Sequence, residues 1–159
     1  MNIILLTHQR ELAKTSNTGK LVADVLGKRA RVLVWERKHP DPELMQTIER
    51  GKVALLYPMD DSVGLTRDMD FESYIVLDAT WQEARKMYNL SPYLKELPKI
   101  KIQPKAQSIY RLRRNQRADG LCTAESVAEI LAVKGALDKA DRLMEDLLSF
   151  ILNKKQLSS

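Results

Sequence analysis

The stretch Tyr74-Ile-Val-Leu-Asp-Ala-Thr-Trp-Gln-Glu-Ala-Arg-Lys-Met87 constrains the fold of this chain more than any other. Tyr74, Ile75, Val76 and Leu77 form a short apolar run, mostly β-branched or aromatic, of the kind that fits a buried strand. The run stops at Asp78. After Ala79 come the good helix formers of Trp81-Gln-Glu-Ala-Arg-Lys-Met87, with Thr80 placed to cap their first turn. A strand that ends in a carboxylate and turns at once into a helix sets that carboxylate at the carboxyl edge of a sheet, where open α/β sheets bind their ligands.

The same alternation recurs along the chain. Ile3 to Leu6 reads as a first strand, followed by the small polar cluster Thr15-Ser-Asn-Thr-Gly19 and a short helix with Leu21, Val22, Val25 and Leu26 on one face and Gly27 as its stop. Arg31 to Trp35 is a second strand. Asp41-Pro-Glu supplies an N-cap, a proline at the first helical position and an acid in the first turn of a helix that Gly51 closes. Val53 to Tyr57 is a third strand ended by Pro58, and the Tyr74 run is the fourth. Ser91-Pro92 breaks the helix that leaves it. Beyond, Ile100 and Ile102 alternate with lysines in the manner of an edge strand, and Ser108-Ile-Tyr-Arg-Leu112 is a further strand candidate. Thr123 is placed to cap a helix carrying Glu125, Val127, Ile130 and Leu131. A final helix is expected from Leu137 to Leu152, its apolar stripe serving core packing or a subunit interface, which leaves monomer and homodimer both open. Strands alternating with helices predict an α/β fold with a mostly parallel sheet flanked by helices, in one domain over 1–159.

With 44% hydrophobic and 30% charged residues, the chain has an ordinary globular composition, and no apolar run reaches membrane-spanning length. Its start, Met1-Asn-Ile-Ile-Leu-Leu-Thr, lacks the basic region and cleavage site of a signal peptide, so a cytoplasmic protein without a membrane partner is expected. One cysteine, Cys122, excludes an internal disulfide, and with only His8 and His39 beside it no metal site is expected. Charge is concentrated. Between Lys95 and Arg117 lie eight basic residues (Lys95, Lys99, Lys101, Lys105, Arg111, Arg113, Arg114, Arg117) against the single acid Glu96. That segment carries +7, so with a total of +5 the remainder carries −2. Such a segment suits a phosphate-backbone partner, or is simply a solvated basic loop.

Each candidate site has a plainer alternative. The Thr15–Gly19 loop could present amides and hydroxyls to an anion or a ribose, or only cap its helix. Asp78 could be a general base, a partner for a cation, or a turn residue satisfying nearby amides. Trp81 could stack on a base or belong to the core. Cys122 could be a nucleophile, although a passive buried thiol suits a cysteine with no histidine near it in sequence. His8 and His39 are single and far apart, and carry no assigned chemistry.

Four pieces taken together, Ser16-Asn-Thr-Gly19, Asp78-Ala-Thr-Trp81 with Ala84-Arg-Lys-Met87, Ser91-Pro-Tyr-Leu94, and Tyr110-Arg-Leu-Arg113 with Cys122-Thr-Ala-Glu125, resemble the DTW-domain tRNA-uridine aminocarboxypropyltransferases. The resemblance runs from about Ile3 to Leu131 and implies a SPOUT-like fold with a C-terminal trefoil knot, which ordinary connection rules would not suggest. It implies transfer of the 3-amino-3-carboxypropyl group of S-adenosylmethionine to N3 of a tRNA uridine, with release of methylthioadenosine. Thr18, Leu56, Tyr57, Pro58, Asp78, Thr80, Trp81, Tyr110, Leu112, Cys122 and Thr123 would then surround the cofactor. Asp78, or second to it Glu125, would be the base, and Lys99, Lys101, Lys105, Arg111, Arg113, Arg114 and Arg117 would meet RNA. An RNA methyltransferase on the same fold and a non-catalytic RNA-binding protein are the alternatives. Longer members carry a cysteine-rich N-terminal segment that this sequence lacks.

Overall fold

The computed structural model describes residues 1–102 and 121–158, with side chains described as far as residue 154. Among the described residues six strands, all pairing in parallel, form one sheet: β1 (Asn2–Thr7), β2 (Ala30–Val34), β3 (Val53–Leu56), β4 (Val63–Gly64), β5 (Ser73–Asp78) and β6 (Lys99–Lys101), in the order β2-β1-β5-β3-β6-β4. The helices are α1 (Gly19–Leu26), α2 (Pro42–Arg50), α3 (Trp81–Asn89), α4 (Pro92–Lys95), α5 (Thr123–Val133) and α6 (Leu137–Ser158).

The central strands read as unbroken apolar runs because both their faces are covered. Successive residues point to opposite sides, and the core divides accordingly. Ile3, Leu5, Ala54, Tyr74, Val76 and Ile100 pack with α1, α5 and α6, whereas Ile4, Leu6, Leu55 and Ile75 pack with Leu44 of α2, Met87 and Tyr88 of α3 and Leu94 of α4. β5 lies between β1 and β3. Its register with β1 sets Asp78 opposite Thr7, so two strands deliver polar residues side by side at the carboxyl edge.

Two expectations change in detail. The strand at Ile100 is not the edge of the sheet, because Val63 and Gly64 pair along its outer side; two residues are too few to leave a periodic signal. The terminal helix continues from Leu152 to Ser158, since Asn153-Lys-Lys-Gln offers no breaker and lysine and glutamine are good helix formers. The strand expected over 108–112 lies outside the described residues. Among the described residues no helix is long and apolar enough to cross a membrane.

Candidate active site at the carboxyl edge

Asp78 ends β5 and is 3% exposed, and its two carboxylate oxygens are held by three side chains from three parts of the chain. Thr7 Oγ1, at the end of β1, donates to Oδ2 at 3.3 Å, and Asn17 Nδ2 donates to the same oxygen at 2.9 Å. Thr123 Oγ1, in the first turn of α5, donates to Oδ1 at 2.8 Å. A carboxylate offers about four acceptor positions, and these donors fill three. The chain must come close to make this clasp. A Cβ at Gly19 would lie 2.7 Å from Asp78 Oδ2 and 3.0 Å from Asn17 Oδ1, so the first residue of α1 has no room for a side chain.

A second tie runs in parallel. Thr18 makes no hydrogen bond to the amides of its own helix; instead its hydroxyl accepts from the amide of Ala124 at 3.1 Å, across 106 residues of sequence. The N-cap of α5 is Cys122 rather than Thr123, which is the first helical residue and turns its hydroxyl to Asp78 instead. Glu125 Oε1 accepts from the Cys122 amide at 3.4 Å, and Glu125 itself is 5% exposed. Burial, with the nearby Glu125 charge adding to it, pushes the Cys122 thiol up to about 12. A neutral thiol of that kind is no nucleophile, in keeping with the passive alternative.

On the other face of the sheet, Tyr57 stacks between Trp81 (centroids 5.6 Å apart) and Tyr88 (4.4 Å). Trp81 is half-buried and Tyr57 buried, while Leu56 is half-buried and Pro58 exposed. Thr80 is exposed and completes a reciprocal cap with Glu83: its hydroxyl accepts from the Glu83 amide and its own amide donates to Glu83 Oε1 at 2.9 Å.

An Asp-x-Thr-Trp turn clasped at Asp78, capped at Thr80 and stacked at Trp81 agrees with family comparison. The DTW domain pattern matches residues 1–156. This chain belongs to the DTW domain family. The DTW chain is also 27% identical over 139 residues to tRNA-uridine aminocarboxypropyltransferase 2 of Drosophila melanogaster, a match covering 82% of this chain and 55% of the relative. It spans about half the length of that relative. No solved structure matches it.

Within this DTW domain, Thr18, Asp78, Cys122, Thr123 and Glu125 come together, while Leu56, Tyr57, Pro58, Thr80 and Trp81 lie on the neighbouring turns of β3 and β5. Tyr110, Leu112, Lys105, Arg111, Arg113, Arg114 and Arg117 lie outside the described residues. Lys99 Nζ donates to the carbonyls of Lys95 and Leu97 (2.8 and 3.3 Å) and sits 5.5 Å over the Tyr88 ring, so its ammonium secures the end of α4. Lys101 is half-buried in β6. Sequence reasoning missed Thr7 and Asn17 as partners of Asp78. The signal for Thr7 was present, since β1 and β5 both run four apolar residues into a polar one.

Proposed function

We propose that this DTW protein transfers the 3-amino-3-carboxypropyl group of S-adenosylmethionine to N3 of a tRNA uridine. The observation that carries the reading is the clasp, which gathers the Asn17–Gly19 loop, the end of β1 and the start of α5 on one buried carboxylate. The name of the Drosophila relative supports the reaction class.

The residues fit the donor. Thr18 and Asn17 form a polar wall, and the half-buried Trp81, backed by Tyr57, offers a flat surface suited to an adenine ring. When bound, S-adenosylmethionine supplies an electrophilic carbon next to sulfur; attack by uridine N3 forms the N–C bond, breaks the C–S bond and leaves methylthioadenosine. Uridine N3 has to lose its proton to attack, and Asp78 is the proposed acceptor, through Oδ1, which takes one bond from the described residues against two at Oδ2. Glu125 is the second carboxylate within the same buried group. Asp78 should face the uridine, or the donor's ammonium group, rather than its sulfur: a carboxylate held against a sulfonium whose charge vanishes in the transition state would favour the ground state. Arg111, Arg113 and Arg114 are proposed to pair with tRNA phosphates or with the donor's carboxylate, for which guanidinium forks are suited. A SPOUT-like knot is part of the same proposal, supported by a parallel sheet in which β5 inserts between β1 and β3.

Incubation with unmodified tRNA and S-adenosylmethionine tests the reading. Methylthioadenosine and a uridine carrying the aminocarboxypropyl group are expected. S-adenosylhomocysteine as the sole by-product would establish a methyltransferase instead, and salt-dependent RNA binding with neither product would establish a non-catalytic binder.

A further inference from the structure

The clasp does not use the residues that follow β1 and β2. His8 and Trp35, which leave these two strands, are hydrogen-bonded into the carboxyl edge: the His8 amide donates to the Asp78 carbonyl (3.0 Å) and the Trp35 amide to the Thr7 carbonyl (2.9 Å). Their rings stack at 6.0 Å with planes 24° apart. The Trp35 Nε1–H is taken by Ser91 Oγ at 2.8 Å, so the Ser91-Pro-Tyr-Leu94 turn pins the indole from behind. His8 Nδ1 accepts the Arg10 amide at 3.1 Å, which fixes the ring against the turn that follows β1. Beside this aromatic floor is an open cleft of about 360 Å³ lined by His8, Gln9, Trp35, Glu36, Arg37 and Lys38. Arg37, Lys38 and the neighbouring Arg10 are exposed and form no ion pair with a described residue, and Glu36 is the one acid in the lining.

We propose that this cleft is a subsite for a nucleotide of single-stranded RNA, with Arg37 and Lys38 holding its phosphate and the half-buried His8 ring, backed by the buried Trp35, receiving its base. Unpaired RNA is recognised in this way, by cations along the backbone and aromatic faces under splayed bases. A basic or apolar partner would leave two adjacent exposed cations without counter-charge. The cleft follows β1 and β2, the strand beside β5 and the one beyond it. A nucleotide held here sits at the same carboxyl edge as one presented to the clasp. The proposal rests on the reading that the substrate is tRNA, and gives a purpose to His8 and to the Ser91–Leu94 turn, which that reading does not use.

Fluorescence anisotropy of a labelled, unmodified tRNA tests it. Against wild type, the double variant Arg37→Glu/Lys38→Glu is expected to bind about tenfold more weakly near 0.1 M salt and to lower the slope of log affinity against log salt by about two. His8→Ala is expected to weaken binding about fivefold with the slope unchanged. Lys28→Glu/Arg29→Glu, two exposed cations at the opposite edge of β2, makes the same charge change and should bind within twofold of wild type. The subsite is overturned if that control loses as much affinity as the cleft variant, or if either cleft variant binds like wild type. The outcomes separate it from the transfer reading. A wild type that makes no aminocarboxypropyl product, with losses confined to the cleft variants, keeps the subsite and removes the reaction; a wild type that modifies tRNA while cleft and control variants bind alike does the reverse.

Discussion

Asp78 and Arg37 belong to two turns of one sheet edge, separated by β1, yet they are built in opposite ways. Asp78 is almost wholly buried, and donors from three segments converge on it. Arg37 and Lys38 stand in water around an open cleft. A buried carboxylate is tolerable only with its hydrogen bonds made, so whatever it does in chemistry it also does for the fold. Exposed cations on a rigid floor can be altered with little effect on folding, and their worth appears only when a polyanion arrives. On the function and subsite proposed above, stability and reaction share one set of residues at this edge, while recognition is kept on another.

The sharpest way to break that contrast is to substitute Asp78. Asp78→Ala leaves the Thr7, Asn17 and Thr123 donors without their acceptor, and should destabilise the protein by about 3 kcal/mol, which corresponds to roughly 6–12 °C in melting temperature for a chain of this size. Turnover should fall about 10³-fold if Asp78 takes the proton. Arg37→Glu/Lys38→Glu should melt within about 1–2 °C of wild type. Equal melting shifts in the two variants, measured by calorimetry, would erase the distinction.

Gly19→Ala should give a smaller effect of the same kind. The added methyl presses on Asp78 Oδ2 and Asn17 Oδ1. Relieving this contact should destabilise the fold by about 1–3 kcal/mol and lower turnover, with tRNA affinity unchanged. An alanine variant as active and stable as wild type would show that the clasp tolerates displacement.

The smallest effect is expected where the two regions meet. Glu83 caps α3 through Thr80 and lies 3.6 Å from His8 in the cleft floor. Burial raises its carboxyl, but the Thr80 hydrogen bonds and the His8 and Lys14 charges outweigh this, and the net shift is downward. The unfolded chain therefore binds more protons in the acid range, so the contribution of Glu83 is present above its ordinary range and is lost as pH falls through the lowered folded value. Glu83→Gln should lower the melting temperature by no more than about 2 °C at neutral pH, and the gap should close as pH falls below the ordinary glutamate range. A gap that widens in acid would contradict this.

How much of this was legible depended on the length of the signal and on where each partner lay. Asp78 at a strand end, the Thr80 cap and the helix after it follow from one contiguous stretch, and the structure has them at the expected residues. The glycine stops of α1 and α2 were equally local: Gly27 and Gly51 both have positive φ, which glycine adopts without strain. The β4 strand was not legible because two residues carry no period. The bond from Thr123 to Asp78 spans 45 residues and that from Ala124 to Thr18 spans 106, and neither leaves any local trace. Thr123 was instead expected to cap its own helix, the commonest use of a threonine at such a position. His8 and Trp35 look unremarkable in the sequence, and only strand pairing makes them neighbours.

Nucleoside mass spectrometry of tRNA from cells lacking this protein, complemented with wild type or with Asp78→Asn, tests the central claim most directly. The aminocarboxypropyl-uridine is expected in cells carrying the wild type, and neither in the uncomplemented cells nor in those carrying Asp78→Asn, which cannot take up the N3 proton. Unchanged modification with Asp78→Asn, or with no protein at all, would contradict the account.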